Sequence, residues 1–152
     1  VRRAVDLGAE VTDYARAFAD SMVALTGDYT VNLRAREEVA ELQHAFGELF
    51  SRFDYLLLPT LAAPAHPAGC HFIDEGPIVN GREQPDRWIV AFTVGFNLVS
   101  SCPVVSVPTG LSGAGLPTAA QIVGRPHRDY SVISVAEQLE LMLDLQSANA
   151  RI

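Results

Sequence analysis

Apolar positions along the chain change their period several times, and each change marks an element. Val11, Ala15, Phe18, Met22 and Leu25 step by four and three, a single stripe on one face of a helix. Thr12 or Asp13 would cap its start, and Gly27–Asp28 would close it. A longer stripe follows at Val39, Leu42, Phe46, Leu49 and Phe53, with Arg36, Glu37, Glu38, Glu41 and Glu48 mostly on the opposite side. This predicts a helix from about Asn32 to Arg52. The period then collapses. Tyr55–Leu56–Leu57–Leu58 is a short continuous apolar run after Asp54, stopped by Pro59, and reads as a strand buried on both faces.

The next stretch, 59–85, carries Pro59, Pro64, Pro67, Pro77 and Pro85 with Gly69, Gly76 and Gly81, which predicts a long irregular loop. Loops of that length in compact domains are functional or disordered. Leu61, Ala62, Ala63, Cys70, Phe72 and Ile78 argue against disorder, so the loop is expected to lie against the body and wall a pocket. Arg87–Ser100 reads as a helix carrying Trp88, Ile89, Ala91, Phe92, Val94, Phe96 and Leu98, weakened by Gly95. Cys102–Pro108 and Thr118–Gly124 read as two strands around glycine-rich turn chemistry at Thr109–Gly115, that is, a hairpin. A last helix is expected from Asp129, its N-cap, to about Leu145, with Val132, Val135, Leu139 and Met142 as its stripe. The order α-α-β-loop-α-β-β-α is that of an α/β protein, in one segment covering 1–152. Three strands are few for four helices, and apolar strands want neighbours alongside, so the sheet is expected to be part of a larger one.

Composition narrows the partners. The 152 residues are 49% hydrophobic, enough to bury a core, and the net charge is -7, which disfavours nucleic acid because phosphate binding needs a basic face. All 11 basic residues are arginine, so no lysine amine is available as base or nucleophile from within this chain. Cys70 and Cys102 do not make a disulfide framework. No apolar run approaches the roughly 18 residues of a membrane span, so no membrane role is expected. The start, Val1–Arg2–Arg3, does not resemble a signal peptide and lacks methionine, and the expectation is a cytoplasmic chain that begins inside a longer protein.

Several groups invite chemistry and are balanced by plainer readings. Ser100–Ser101–Cys102 lacks the Gly-x-Ser-x-Gly turn of a nucleophile elbow, and helix-end hydroxyls that bond to loose backbone groups explain it better. His66, Cys70 and His71 have spacing that could hold a metal, but a proline-rich loop with incidental histidines is preferred, and no metal is expected. Cys102, ahead of Pro103 on an apolar strand, reads as a buried structural thiol rather than a catalytic one. Gly110–Gly115 opens no helix and so reads as a turn rather than a phosphate loop. Trp88, Phe92 and Phe96, four apart, could line a ligand pocket or simply pack the core.

The block Cys102-Pro-Val-Val-Ser-Val-Pro-Thr-Gly110, followed by Gly115-Leu-Pro-Thr118 and Gln121-Ile-Val-Gly-Arg125, resembles the C-terminal region of the amidase signature family. Phe53–Thr60 is similar to that family's strand ending in Pro-Thr, and Phe96–Asn97–Leu98 to its Asn-containing helix. Asp129–Glu140 resembles its closing helix, and Tyr29 with Arg36 the start of an earlier one. Ala119 departs from the pattern, standing where the family usually places glycine, and puts a methyl group beside the strand.

The resemblance implies part of a mixed β-sheet flanked by helices. It also implies a parent that hydrolyses a carboxamide to a carboxylate and ammonia or an amine, without metal or cofactor. Family enzymes use two serines and a lysine from a Gly/Ser-rich signature further upstream; nothing here matches it, and no catalytic residue carries over. The expected partner is a small-molecule amide, walled by His66, Phe72, Trp88, Phe92 and Phe96. The alternative is a non-catalytic binding or assembly module, self-associating through exposed apolar surface.

Overall fold

The computed structural model describes residues 10–13, 15–17, 19–20, 29–70, 76–85 and 90–143. Residues 13, 15–17 and 19–20 are helical. Thr12 Oγ1 accepts the Ala15 amide at 3.2 Å, the capping bond expected there. Phe18, Met22, Leu25 and the Gly27–Asp28 stop lie outside the described residues. The remaining elements are α1 (Tyr29–Arg52), β1 (Tyr55–Pro59), β2 (Ile78–Val79), β3 (Arg82–Glu83), α2 (Val94–Leu98), β4 (Val104–Leu111), β5 (Pro117–Gly124) and α3 (Asp129–Leu143).

β1, β5 and β4 form a sheet in that order, antiparallel throughout, with β5 in the middle. Alternation along β5 sends its side chains to two separate cores. Val123 joins Phe50, Val99 and Cys102 on the α1 side, flanked by Leu42, Phe46, Leu56 and Phe96. Ile122 joins Val107, Val132 and Ala136 on the α3 side, flanked by Tyr55, Val105, Val135 and Leu139. Each fully buried Val or Ile in these clusters contributes about 1.5–3 kcal/mol through area removed from water. Helices on both sheet faces match the α/β reading.

The particulars depart from the pattern in instructive ways. β1 is not buried on both faces: Leu57 is 63% exposed, because β1 is the edge of the described sheet and α3 lies over β4 and β5. The α1 stripe runs Phe46 to Phe50 rather than on to Phe53. Phe53 stands past the helix end, exposed, with the Arg52 guanidinium over its ring. Met142, expected on the α3 stripe, is exposed near the helix end. Asp129 is the first residue of α3, and the Arg128 carbonyl accepts the first amides, from Ser131 and Val132.

The stretch 59–85 is not irregular throughout. β2 and β3 pair across Asn80–Gly81, whose φ values of 51° and 74° are those of a type I′ turn. The β4–β5 hairpin is tighter than its glycines suggested. β4 continues to Leu111, with a bulge between Pro108 and Gly110, and the turn is closed by Ser112 N to Leu116 O at 2.8 Å.

Candidate functional site

The exit from β1 is held in place by four hydrogen bonds. Gln121 Nε2, from the middle of β5, donates to the Pro59 carbonyl at 3.0 Å. Thr60 donates twice to the Ala119 carbonyl, from its amide at 3.3 Å and its hydroxyl at 3.1 Å. The Thr60 carbonyl in turn accepts the Phe92 amide at 3.1 Å, and Leu61 bridges Ala91. Backbone therefore ties the end of β1 to the approach to α2, and both are referenced to the sheet. The methyl at Ala119 is accommodated half-buried on β5.

Between this clamp and α1 lies an open cleft of about 470 Å³. It is lined by Leu42 and Phe46 of α1, Leu58 and Pro59 of β1, and Phe92, Gly95 and Phe96. Phe46 and Phe96 meet edge to face, with centroids 5.6 Å apart at 73°, a favourable aromatic arrangement. None of the lining side chains ionises or carries a hydroxyl. A second cleft of about 460 Å³ runs along the 61–64 segment against Thr109, Thr118 and Ala120. A smaller polar one, about 240 Å³, gathers Asp54, Tyr55, Arg125, Arg128 and Ser131. There Arg125 pairs with Asp54 at 2.9 Å, and the Tyr55 and Ser131 hydroxyls bond to each other.

Of the five expected wall residues, the structure brings Phe92 and Phe96 together in the first cleft. Only Phe96 sits on a helix: α2 spans five residues, and Phe92 precedes it because its amide bonds to Thr60. His66 is half-buried in the proline-rich run and lines none of these clefts. Phe72 and Trp88 lie outside the described residues, as does His71 of the possible metal cluster. Among the described residues, no three His, Cys, Asp or Glu side chains gather as metal ligands would.

Sequence reasoning missed Leu42, Phe46, Leu58 and Pro59 as lining. It read Gly95 only as a weakness in a helix, although a small residue between two phenylalanines is the available signal for an open cleft.

The reactive-looking groups have structural occupations. Cys102 is 6% exposed in the core. Burial pushes its thiol above the ordinary value, against a smaller opposing pull from a hydrogen bond with Ser101. Ser51 donates to the Glu48 carbonyl, and Ser112 accepts the Leu116 amide inside the hairpin turn. Among the described residues no helix is long and apolar enough to cross a membrane.

The family model described as Amidase matches residues 2–133. The chain belongs to the amidase signature family. It is 32% identical over 149 residues to one of the subunits of glutamyl-tRNA(Gln) amidotransferase from Parvibaculum lavamentivorans, covering 96% of this chain and 28% of that protein. It is 36% identical over 92 residues to 6-aminohexanoate-cyclic-dimer hydrolase of Paenarthrobacter ureafaciens, covering 58% of this chain and 18% of that one. Among solved structures, a bacterial aryl acylamidase of the amidase signature family superposes with a TM-score of 0.70 at 27% identity, over 86% of this chain and 26% of its own. 6-Aminohexanoate cyclic dimer hydrolase superposes at 0.65 with 25% identity, over 93% and 31%. The chain spans less than a third of each of these proteins.

Proposed function

We propose that this amidase-family chain is the C-terminal part of an amide hydrolase and is inactive alone, the reactive groups being supplied by other parts of the protein. The observation that carries this is the lysine-free composition of a chain that matches the family model over residues 2–133. The family resemblance implies a serine–serine–lysine mechanism, in which an amine must take the nucleophile's proton. Arginine cannot do so near neutral pH, because its guanidinium keeps its proton. In this reading the chain's own work is to complete the sheet and wall the substrate entrance, with His66, Phe72, Trp88, Phe92 and Phe96 as wall residues. The reaction turns a carboxamide and water into a carboxylate and ammonia or an amine.

The test is release of ammonia or amine by the purified chain from small aliphatic and aromatic amides. Rates indistinguishable from buffer are expected. Turnover that disappears on replacing one of its serines overturns the reading.

A second reading, an assembly module, is favoured by one observation: Leu57, Ile133 and Leu141 are each more than half exposed. Light scattering separates the two, since a chain that stays monomeric at every concentration is no assembly module.

A further inference from the structure

We propose that Asn80 is a site of spontaneous modification: in the folded chain the Gly81 nitrogen displaces its side-chain amide, leaving aspartate and isoaspartate at the tip of the β2–β3 hairpin. The inference is independent of the reading of the chain as part of an amide hydrolase. Three observations support it.

The first is the neighbour. Of the chain's asparagines, Asn80 alone is followed by glycine. Asn32 and Asn97 are followed by leucine and lie inside α1 and α2. Glycine has no Cβ to crowd its own nitrogen as that nitrogen attacks. The second is access: Asn80 and Gly81 are both exposed, so water reaches the reacting atoms.

The third is how loosely the tip is held. The ring described below closes only when Asn80 Cβ and the Gly81 nitrogen swing to the same side of the Cα–C bond. A type I′ turn holds them apart, so the tip must open first. β2 and β3 are two residues each, and Ile78, Arg82 and Glu83 are exposed. The hairpin is anchored at its base, where the Gln84 amide donates to the Pro77 carbonyl at 2.9 Å and the Gly76 amide to Glu83 Oε1 at 2.8 Å. A short exposed tip beyond such an anchor opens locally at little cost, without global unfolding.

The chemistry balances with water alone. Base removes the Gly81 amide proton, and the nitrogen attacks Asn80 Cγ. A C–N bond forms, the bond from Cγ to the side-chain nitrogen breaks, and that nitrogen leaves as ammonia with a proton. Water then opens the resulting succinimide at one of its two carbonyls. Opening at Cγ restores the backbone with aspartate. Opening at the Asn80 backbone carbonyl leaves the chain running through Cγ, as isoaspartate. Each chain releases one ammonia once, which is not turnover.

The experiment is a timed incubation of the full chain in native buffer at pH 8, read by peptide mass spectrometry. A gain of one mass unit is expected at Asn80, as separable aspartate and isoaspartate peptides, at least about tenfold faster than at Asn32 or Asn97. Gly81→Ala should slow it about tenfold or more, because the methyl crowds the attacking nitrogen. Alanine is strained at φ 74° and should loosen the turn, so a rate set by opening alone would rise instead. A Gly81→Ala chain modified as fast as the parent therefore overturns the proposal. So do equal rates at the three asparagines, or an Asn80 that stays intact in native buffer and changes only in urea.

Discussion

Gln121 Nε2 donates to the Pro59 carbonyl at 3.0 Å from a side chain with no exposed surface, and its Oε1 meets no donor among the described residues. One half of the amide works and the other is stranded. Gln121→Leu removes a hydrogen bond and an unsatisfied acceptor together, so stability should change by less than about 1 kcal/mol. Gln121→Glu should cost more than about 3 kcal/mol at pH 8, where a buried carboxylate has no counter-charge. Burial raises that carboxyl's folded pKa. The penalty is therefore small below the ordinary Glu value of about 4.3 and grows as pH rises. Urea unfolding at pH 4 and pH 8 checks both, and equal penalties at the two pH values would refute the account.

Gly124 is where β5 passes beneath α3, and a Cβ there would collide with Val132 Cγ2. Gly124→Ala should destabilise by about 1–3 kcal/mol through overpacking. Val132→Ala, made alone in the core, should cost a similar amount through its cavity. The double variant should be more stable than the sum of the singles predicts, because the second change vacates the space that the first needs. Chemical denaturation of the four proteins measures the coupling, and strict additivity would show that the contact is relieved elsewhere.

The two cysteines should separate cleanly. Cys70 is exposed and Cys102 buried. Iodoacetamide at pH 8 is expected to modify Cys70 in the folded chain and Cys102 only in urea, read by mass spectrometry of peptides. Burial raises the Cys102 thiol, so its contribution to stability is complete below the unfolded thiol value of about 8.5. It is lost as pH climbs from there through the raised folded value. Relative to Cys102→Ala, the parent should lose stability above that pH, and parallel pH profiles would contradict this.

The Asn80–Gly81 turn should be local in its effects. Gly81 sits at φ 74°, where a β-branched side chain is strained. β2 and β3 contribute two residues each, a hairpin too small to be stable by itself. Gly81→Val is expected to speed amide exchange at Val79, Arg82 and Gln84, the amides on the hydrogen-bonded positions of this hairpin, without moving the urea midpoint. A shifted midpoint would mean that the hairpin is coupled to the core.

Much of this was legible in one dimension. The existence of α1, the β4–β5 hairpin and α3 follows from period and turn chemistry, because those forces act between residues close in sequence. Asn80–Gly81 was legible too, since Asn-Gly is a strong hairpin signal, but it was submerged in a run of prolines and glycines. The cleft was legible only in part. Phe92 and Phe96 are near neighbours in the chain, whereas Phe46 and Leu58 reach them from other elements.

The amino-acid sequence alone determined the segments, their periods, the family resemblance and the lack of a lysine. Tertiary structure decided which apolar residues are core and which are wall. Phe50, in the last turn of α1, is buried, and Phe53, just past the end of that helix, is not. Leu57 is exposed because its strand lies at a sheet edge. Burial depends on what comes from elsewhere in the chain to cover a side chain, and no local pattern carries that information.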